Sequence, residues 1–274
     1  MKILSATYPD FIRFGEKPNE DFFLVSKDYP LFSVADGVTQ SHFKDGRYAY
    51  PNGAKEAAQI FCRTSVKVLE KTFNNLTGKN IEGAFRDAFN SANQEIKKLN
   101  LRYGIDKKLN YVEYDWFDTV GIAGAIIKNR LYFDYAGDCG LVIFDKNNHK
   151  KLQTRDDVRP AVKKFEKLYP KYNLNERTLI MHRDFRNNPN GKGYGSFSGE
   201  ANVGKYYHFG SAQLAKGDLI VFYSDGLLGH LKIAKFIKLL RSLNKKDIDA
   251  FIMEKASNNP AVYGNDRTFI SVII

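Results

Sequence analysis

The chain of 274 residues is 43% hydrophobic and carries 21 Phe and 16 Tyr, enough bulky apolar surface to fill a sizeable core and too much for a disordered polypeptide. Cys62 and Cys139 are its two cysteines; they cannot frame a disulfide scaffold and fit no zinc pattern, so both are expected reduced and buried. A net charge of +11, from 42 Lys+Arg against 31 Asp+Glu, is spread over short clusters such as Lys107-Lys108 and Lys245-Lys246, which reads as a solvated basic surface and makes nucleic acid the weakest class of partner.

In chain order, residues 22–25 and 31–35, separated by Tyr29-Pro30 and closing on Asp36-Gly37, read as strand, turn, strand. From Gly53 to about Phe73, the positions Ala57, Ile60, Phe61, Val68 and Leu69 recur at helical spacing. A second helix is predicted from about Asn80 to Leu99, where Ile81, Ala84, Phe85, Ala88, Phe89, Ala92 and Ile96 mark one face. Three runs, 120–127, 131–136 and 141–144, are separated by Lys128-Asn129-Arg130 and Gly137-Asp138 and predict an antiparallel meander. Residues 155–210 have weaker periodicity around an Asn- and Gly-rich centre, and read as a long mobile loop, a flap-like irregular insertion. Strand character returns at 218–223, ending in Ser224-Asp225-Gly226. Helices are then predicted over 233–243 and 248–256, and a closing strand over 268–274.

Runs of strands and runs of helices, without strict alternation, predict an antiparallel α+β architecture. One domain over residues 1–274 is expected, and a monomer. The first 20 residues contain no apolar leader and no window reaches the roughly 20 apolar residues that span a bilayer, so a cytoplasmic protein without membrane association is expected.

Acidic residues recur at the ends of the predicted strands: Glu20-Asp21, Asp36-Gly37, Gly137-Asp138, Asp225-Gly226 and Asn265-Asp266. Any one Asp-Gly pair is first of all a turn dipeptide. Strand ends are poor places for unpaired carboxylates, however, and carboxylates converging from several strands are what Mg²⁺ and Mn²⁺ need, because these hard cations take oxygen ligands. Neither a Ser-His-Asp order nor a Cys-x5-Arg motif is present. Gly191-Lys192-Gly193-Tyr194-Gly195 lacks the spacing of a nucleotide-binding loop. Tyr111, Tyr114, Trp116 and Phe117 could line a groove, although such clusters are more often core.

The order of these motifs resembles that of the protein phosphatase 2C family, the metal-dependent PPM phosphatases, over nearly the whole chain. Asn19-Glu20-Asp21 is similar to the family's first acidic motif, and Val34-Ala35-Asp36-Gly37-Val38 to its apolar-Asp-Gly motif. Asp118-Thr119-Val120-Gly121 through Gly137-Asp138-Cys139-Gly140 looks like its Thr-containing strand and Gly-Asp turn. Gly217-Asp218 to Ser224-Asp225-Gly226-Leu227 resembles its Ser-Asp-Gly-Leu segment, and Asn265-Asp266-Arg267-Thr268 its closing motif.

The resemblance implies a four-layer α-β-β-α sandwich with two central antiparallel sheets. It also implies hydrolysis of phosphoserine or phosphothreonine in a protein substrate by water activated between two Mn²⁺ or Mg²⁺ ions. Asp36 would bridge the metals, the Gly37 carbonyl would ligate one, Asp225 the other, and Glu20 and Asp21 would hold metal-bound water.

Some positions depart from the family's pattern. The last ligand falls on Asn265 in strict register, with Asp266 one residue later as the alternative. Gly229 replaces a further Asp, which argues against a third ion held by Asp138 and Asp225. The usual phosphate-binding Arg falls on Glu16, leaving Lys17 or Arg13. Val38 stands where many members carry a His, as an apolar residue does in bacterial-type members, and His42 is a loose substitute. A pseudophosphatase, the same fold kept as a phosphoprotein-binding module, is the rival reading, with Asn265 and the missing Arg as its signs.

Overall fold

The computed structural model describes residues 1–13, 17–38 and 49–274. Among the described residues, ten strands build two antiparallel five-stranded sheets. One is ordered β1-β10-β9-β6-β7, from Lys2–Tyr8, Arg267–Ile273, Leu219–Tyr223, Gly140–Phe144 and Lys150–Gln153. The other is ordered β2-β3-β4-β5-β8, from Phe22–Val25, Leu31–Gly37, Thr119–Ile127, Arg130–Ala136 and Gly210–Gln213.

Helices α1 (Gly53–Thr72) and α2 (Ile81–Arg102) cover the second sheet. Their apolar stripes, Ala57, Phe61, Phe85, Phe89 and Ile96 among them, are fully buried against Leu31, Ala123 and Phe197. On the first sheet lie α5 (Ala234–Ser242) and α6 (Lys245–Asn258), whose Phe236, Leu240, Ile248 and Ile252 pack on Leu219, Val221 and Phe269. Between the sheets Phe32, Ile122, Leu141, Phe222 and Ile270 form the middle layer. The four-layer α-β-β-α sandwich expected from the sequence is therefore the architecture of the chain, and both cysteines are buried and free.

Two expectations are corrected. The third strand of the expected meander, β6, does not pair with β5. It pairs with β9 and β7 in the opposite sheet, because the turn at Gly137, with φ +88°, carries the chain from one sheet to the other. Strand periodicity specifies a buried face but not the partner that covers it.

Residues 155–210 are not one irregular loop. They contain α3 (Val158–Leu168), α4 (Leu174–Ile180) and a π-helical turn, Met181–Phe185, gathered on a small core of Ala161, Phe165, Ile180, Met181, Phe185 and Tyr194. Pro160 sits in the first turn of α3, where its missing N–H costs nothing. A capping box of Asn173 and Glu176 starts α4. Strands β1, β7 and β8 were also absent from the sequence reading; β7 and β8 are four-residue edge strands.

Candidate metal centre

The acidic motifs meet because both sheets deliver strand ends to the same edge of the sandwich. Register places Phe22 of β2 opposite Ala35 of β3, so Glu20-Asp21 stands beside Asp36-Gly37, and the Gly37 N–H donates to the Glu20 carbonyl at 3.2 Å. From the other sheet, β9 runs into Ser224-Asp225, and β10 begins just after Asn265-Asp266. The Ser224 N–H donates to the Thr268 carbonyl at 3.1 Å. Gly226 lies so close to this junction that a Cβ there would stand 2.1 Å from the Asp266 carbonyl oxygen, which is why Asp225 is followed by glycine.

A cavity of about 380 Å³ opens at this edge, lined by Lys17, Glu20, Asp36, Gly37, Asp138, Asp225, Asn265 and Asp266, with Arg13 and Asp10 beside them. Asp21 is buried outside that lining. Its Oδ2 accepts from Ser224 Oγ at 2.6 Å, while its Oδ1 is buried without a partner. Asp266 is buried: its Oδ1 accepts from the Asp10 N–H at 2.6 Å and its Oδ2 from Lys17 Nζ at 2.6 Å. Asn265, its neighbour, is exposed. Lys17 Nζ also donates to Glu20 Oε2 at 2.6 Å. Burial works against the Lys17 charge, but Glu20 and Asp266 outweigh it and raise its pKa above the ordinary lysine value.

Crowding shows in the titration of the carboxyls. Burial first, then the charges of Asp21, Asp225, Asp138 and Asp266, push Asp36 well above the usual carboxylate range. Asp21 is pushed up to about 7 by burial, with Asp266 adding to the rise and the Ser224 hydrogen bond opposing it. Burial, then Asp225 and Asp156, raise Asp138. Burial also raises Asp225, against which its hydrogen bond to Asp36 works. Buried carboxylates that raise one another are short of positive charge. Together with the orphaned Asp21 Oδ1, this makes an oxygen-rich donor set that fits a hard divalent cation. Among the described residues no three His, Cys, Asp or Glu side chains are already closed around one metal-sized point.

The sequence reading missed the wall contributed by residues 158–194: Val158, Val162, Arg177, Thr178, Met181, His182 and Tyr194. Behind this wall lies a buried ionic knot. Arg186, with its side chain fully buried, donates to Asp115 at 2.8 and 3.1 Å, to Asp118 at 3.3 Å and to Glu200 at 2.9 Å. His182 Nδ1 is hydrogen-bonded to Asp115 Oδ2. Burial works to raise the Asp115 pKa, but Arg186 and His182 hold it well below the usual carboxylate range. Asp118 precedes Thr119, whose hydroxyl donates to the Asp36 carbonyl at 2.6 Å, so the knot abuts the Asp36-Gly37 motif. Its members are 67 and 71 residues apart in sequence, and no local spacing announces them.

Phe117 is fully buried and Trp116 packs on the helix–sheet core, so for these two the core reading holds. Glu16 and His42 lie outside the described residues.

No family model matches the chain, and no curated protein matches it. Solved structures do. A Mycobacterium tuberculosis serine/threonine phosphatase, PstP/Ppp, is 15% identical with a TM-score of 0.61, covering 100% of this chain and 98% of its own. The PstP catalytic domain in complex with two manganese ions is 16% identical with a TM-score of 0.60, over 98% of this chain and 96% of its own. Serine/threonine phosphatase Stp1 from Staphylococcus aureus is 15% identical with a TM-score of 0.65, over 100% of this chain and 95% of its own. The chain has the fold of these bacterial phosphatases, the protein phosphatase 2C sandwich, along its full length.

Proposed function

We propose that this chain, on the sandwich it shares with bacterial serine/threonine phosphatases, is a metal-dependent phosphatase of the protein phosphatase 2C type that hydrolyses phosphoserine or phosphothreonine in protein substrates. The observation that carries the reading is the convergence of Glu20, Asp36, Asp138, Asp225 and Asp266, from the ends of both sheets, on one cavity. Asp36, Asp225, Asp266, Glu20, Asp21 and the Gly37 carbonyl would hold two Mn²⁺ or Mg²⁺ ions. Bound there, the ions would supply positive charge to the phosphoryl oxygens and lower the pKa of a water.

The chain's own residues do the rest. Thr119 fixes the Asp36 backbone, and Ser224 orients Asp21 while accepting from the Thr268 N–H at 2.9 Å. Arg13, whose side chain is 39% exposed and pairs with Asp10 at 3.5 Å, is favoured as phosphate ligand over Lys17, whose side chain is 5% exposed and whose ammonium is held between Glu20 and Asp266. Arg also offers a bidentate fork. Val38, Val120, Val162 and Met181 supply apolar wall that limits water around the reacting group. Asp266, buried among the other carboxylates, is favoured over Asn265 as the last ligand. We read the chain as one cytoplasmic domain that works as a monomer; among the described residues no helix is long and apolar enough to cross a membrane.

The test is hydrolysis of p-nitrophenyl phosphate and of a phosphothreonine peptide by purified protein with Mn²⁺, with Mg²⁺ and with EDTA. Activity that requires metal and is lost in Asp36→Asn supports the reading. Folded protein inactive with either metal would instead favour a phosphoprotein-binding module.

A further inference from the structure

We propose that His182, on the π-helical turn, is the general acid that protonates the leaving serine or threonine oxygen; this rests on the phosphatase reading above. The position directly after Asp36-Gly37 is Val38, which cannot carry a proton. Among the described residues His182 alone of the histidines lines the cavity. His149 pairs with Asp145 on the surface, His208 with Asp157, and His230 is buried against Phe236 and Tyr263.

The ring is held at one nitrogen. Asp115, itself clamped by both terminal nitrogens of Arg186, binds Nδ1, so the proposal puts the transferable proton on Nε2, the nitrogen that Asp115 does not hold. A carboxylate that fixes a histidine by Nδ1 while Nε2 moves protons is a recurrent catalytic arrangement. The other groups around the cavity are worse donors. Glu20, Asp36, Asp225 and Asp266 are committed as ligands, Asp10 accepts from the Ile12 and Arg13 N–H groups, and Asp138 sits among the ligand carboxylates on the Gly137-Asp138 turn. Lys17 is held by Glu20 and Asp266, arginine does not deprotonate, and burial pushes the Tyr194 hydroxyl above its ordinary pKa. π-Helical turns are frequent at functional sites, and here the turn brings His182 to the wall.

In the step, water oxygen bonds to phosphorus as the bond from phosphorus to the side-chain oxygen breaks. The proton on Nε2 passes to that departing oxygen, giving the neutral alcohol and inorganic phosphate; the attacking water gives up one proton to solvent, and His182 takes one back from solvent. Asp115 is a positioning residue.

The test uses leaving groups. An alkoxide needs a proton and p-nitrophenolate does not, and general acids contribute about 10²- to 10⁴-fold. In His182→Ala and His182→Gln, kcat for the phosphothreonine peptide is expected to fall about 100-fold or more, while kcat for p-nitrophenyl phosphate stays within about 3-fold and Mn²⁺ affinity by calorimetry is unchanged. Added imidazole should restore peptide turnover in His182→Ala. Equal losses on both esters, or no loss on the peptide, overturn the assignment even if the wild type is active. A wild type inactive on both esters overturns the phosphatase reading itself. If His182→Ala does not fold, His182→Gln decides.

Discussion

Lys17 Nζ lies 2.6 Å from Asp266 Oδ2, a carboxylate 249 residues away in sequence, and 2.6 Å from Glu20 Oε2. The ammonium thus occupies the same oxygen-rich space that divalent cations would use, and its side chain is 5% exposed. Removing one partner of a buried ion pair typically costs about 3–5 kcal/mol, because it leaves uncompensated charge. Lys17→Met is therefore expected to lower metal-free stability by about that much and to bind Mn²⁺ more tightly than the wild type. Thermal melts with and without Mn²⁺ check this; a variant that gains no more from Mn²⁺ than the wild type would remove Lys17 as a competitor.

The pH dependence of metal-free stability should run opposite to that of a protein whose carboxylates are paired with cations. Asp21 is pushed up to about 7 and Asp36, Asp138 and Asp225 are raised. Between about pH 4 and pH 7 the native state keeps protons that the unfolded chain has released, so stability falls as pH rises through that window. Denaturant midpoints at pH 5 and pH 8 in EDTA measure the difference, and saturating Mn²⁺ should shrink or reverse it. A stability that climbs from pH 5 to pH 8 in EDTA would contradict the crowding.

Asp36→Asn removes one charge from that crowd. Hydrolysis should fall by at least about 100-fold, whereas the metal-free protein should melt no lower than the wild type, since a repelled carboxylate has been replaced by a neutral amide. Loss of both activity and fold would point to a structural role for Asp36 instead.

Arg186 holds residues 181–200 to the segment before β4 through Asp115 and Asp118, and closes the segment on itself through Glu200. Its replacement by Met strands three acidic groups and should cost about 3–5 kcal/mol. Arg186→Lys should recover only part of this, because one ammonium cannot reproduce the fork. Faster proteolysis within residues 181–200, at temperatures where the rest of the domain resists, is the expected readout.

Gly226→Ala would place a methyl 2.1 Å from the Asp266 carbonyl oxygen. The backbone must move, at a cost of about 1–3 kcal/mol, and Asp266 and Asp225 move with it. Mn²⁺ affinity should drop about tenfold or more; calorimetry on the folded variant measures it.

Most of the sandwich was legible because the middle and outer layers bury complete faces. The spacing of Ile81, Phe85, Ala88, Phe89 and Ala92 admits one reading, and a Val- and Ile-rich run such as 120–127 admits few. Short edge strands such as β7 and β8 bury little and carry no comparable signal. In α3 the apolar positions Val158, Ala161, Val162 and Phe165 are diluted by lysine and an early proline, which masked a real helix.

The carboxylates were legible as a set because Asp-Gly marks the strand ends. Asp10, Asp115, His182 and Arg186 were not, since each gains its meaning from a partner distant in sequence. A lone histidine in a polar segment has no local signature. The assignment of β6 to a meander failed for a related reason: nothing in its sequence says which sheet it joins.

Phe32 and Phe222 face each other across the middle layer with ring centroids 5.4 Å apart. Phe32 belongs to β3, which ends at Asp36-Gly37, and Phe222 to β9, which leads into Asp225. The separation of the two principal acidic groups is thus inherited from the thickness of an apolar layer several residues away, with sheets that pack about 10 Å apart. The sandwich interior acts as a gauge block for the site. A substitution that thins or thickens it, such as a smaller side chain at either ring, would retune the gap between ligands without touching any of them.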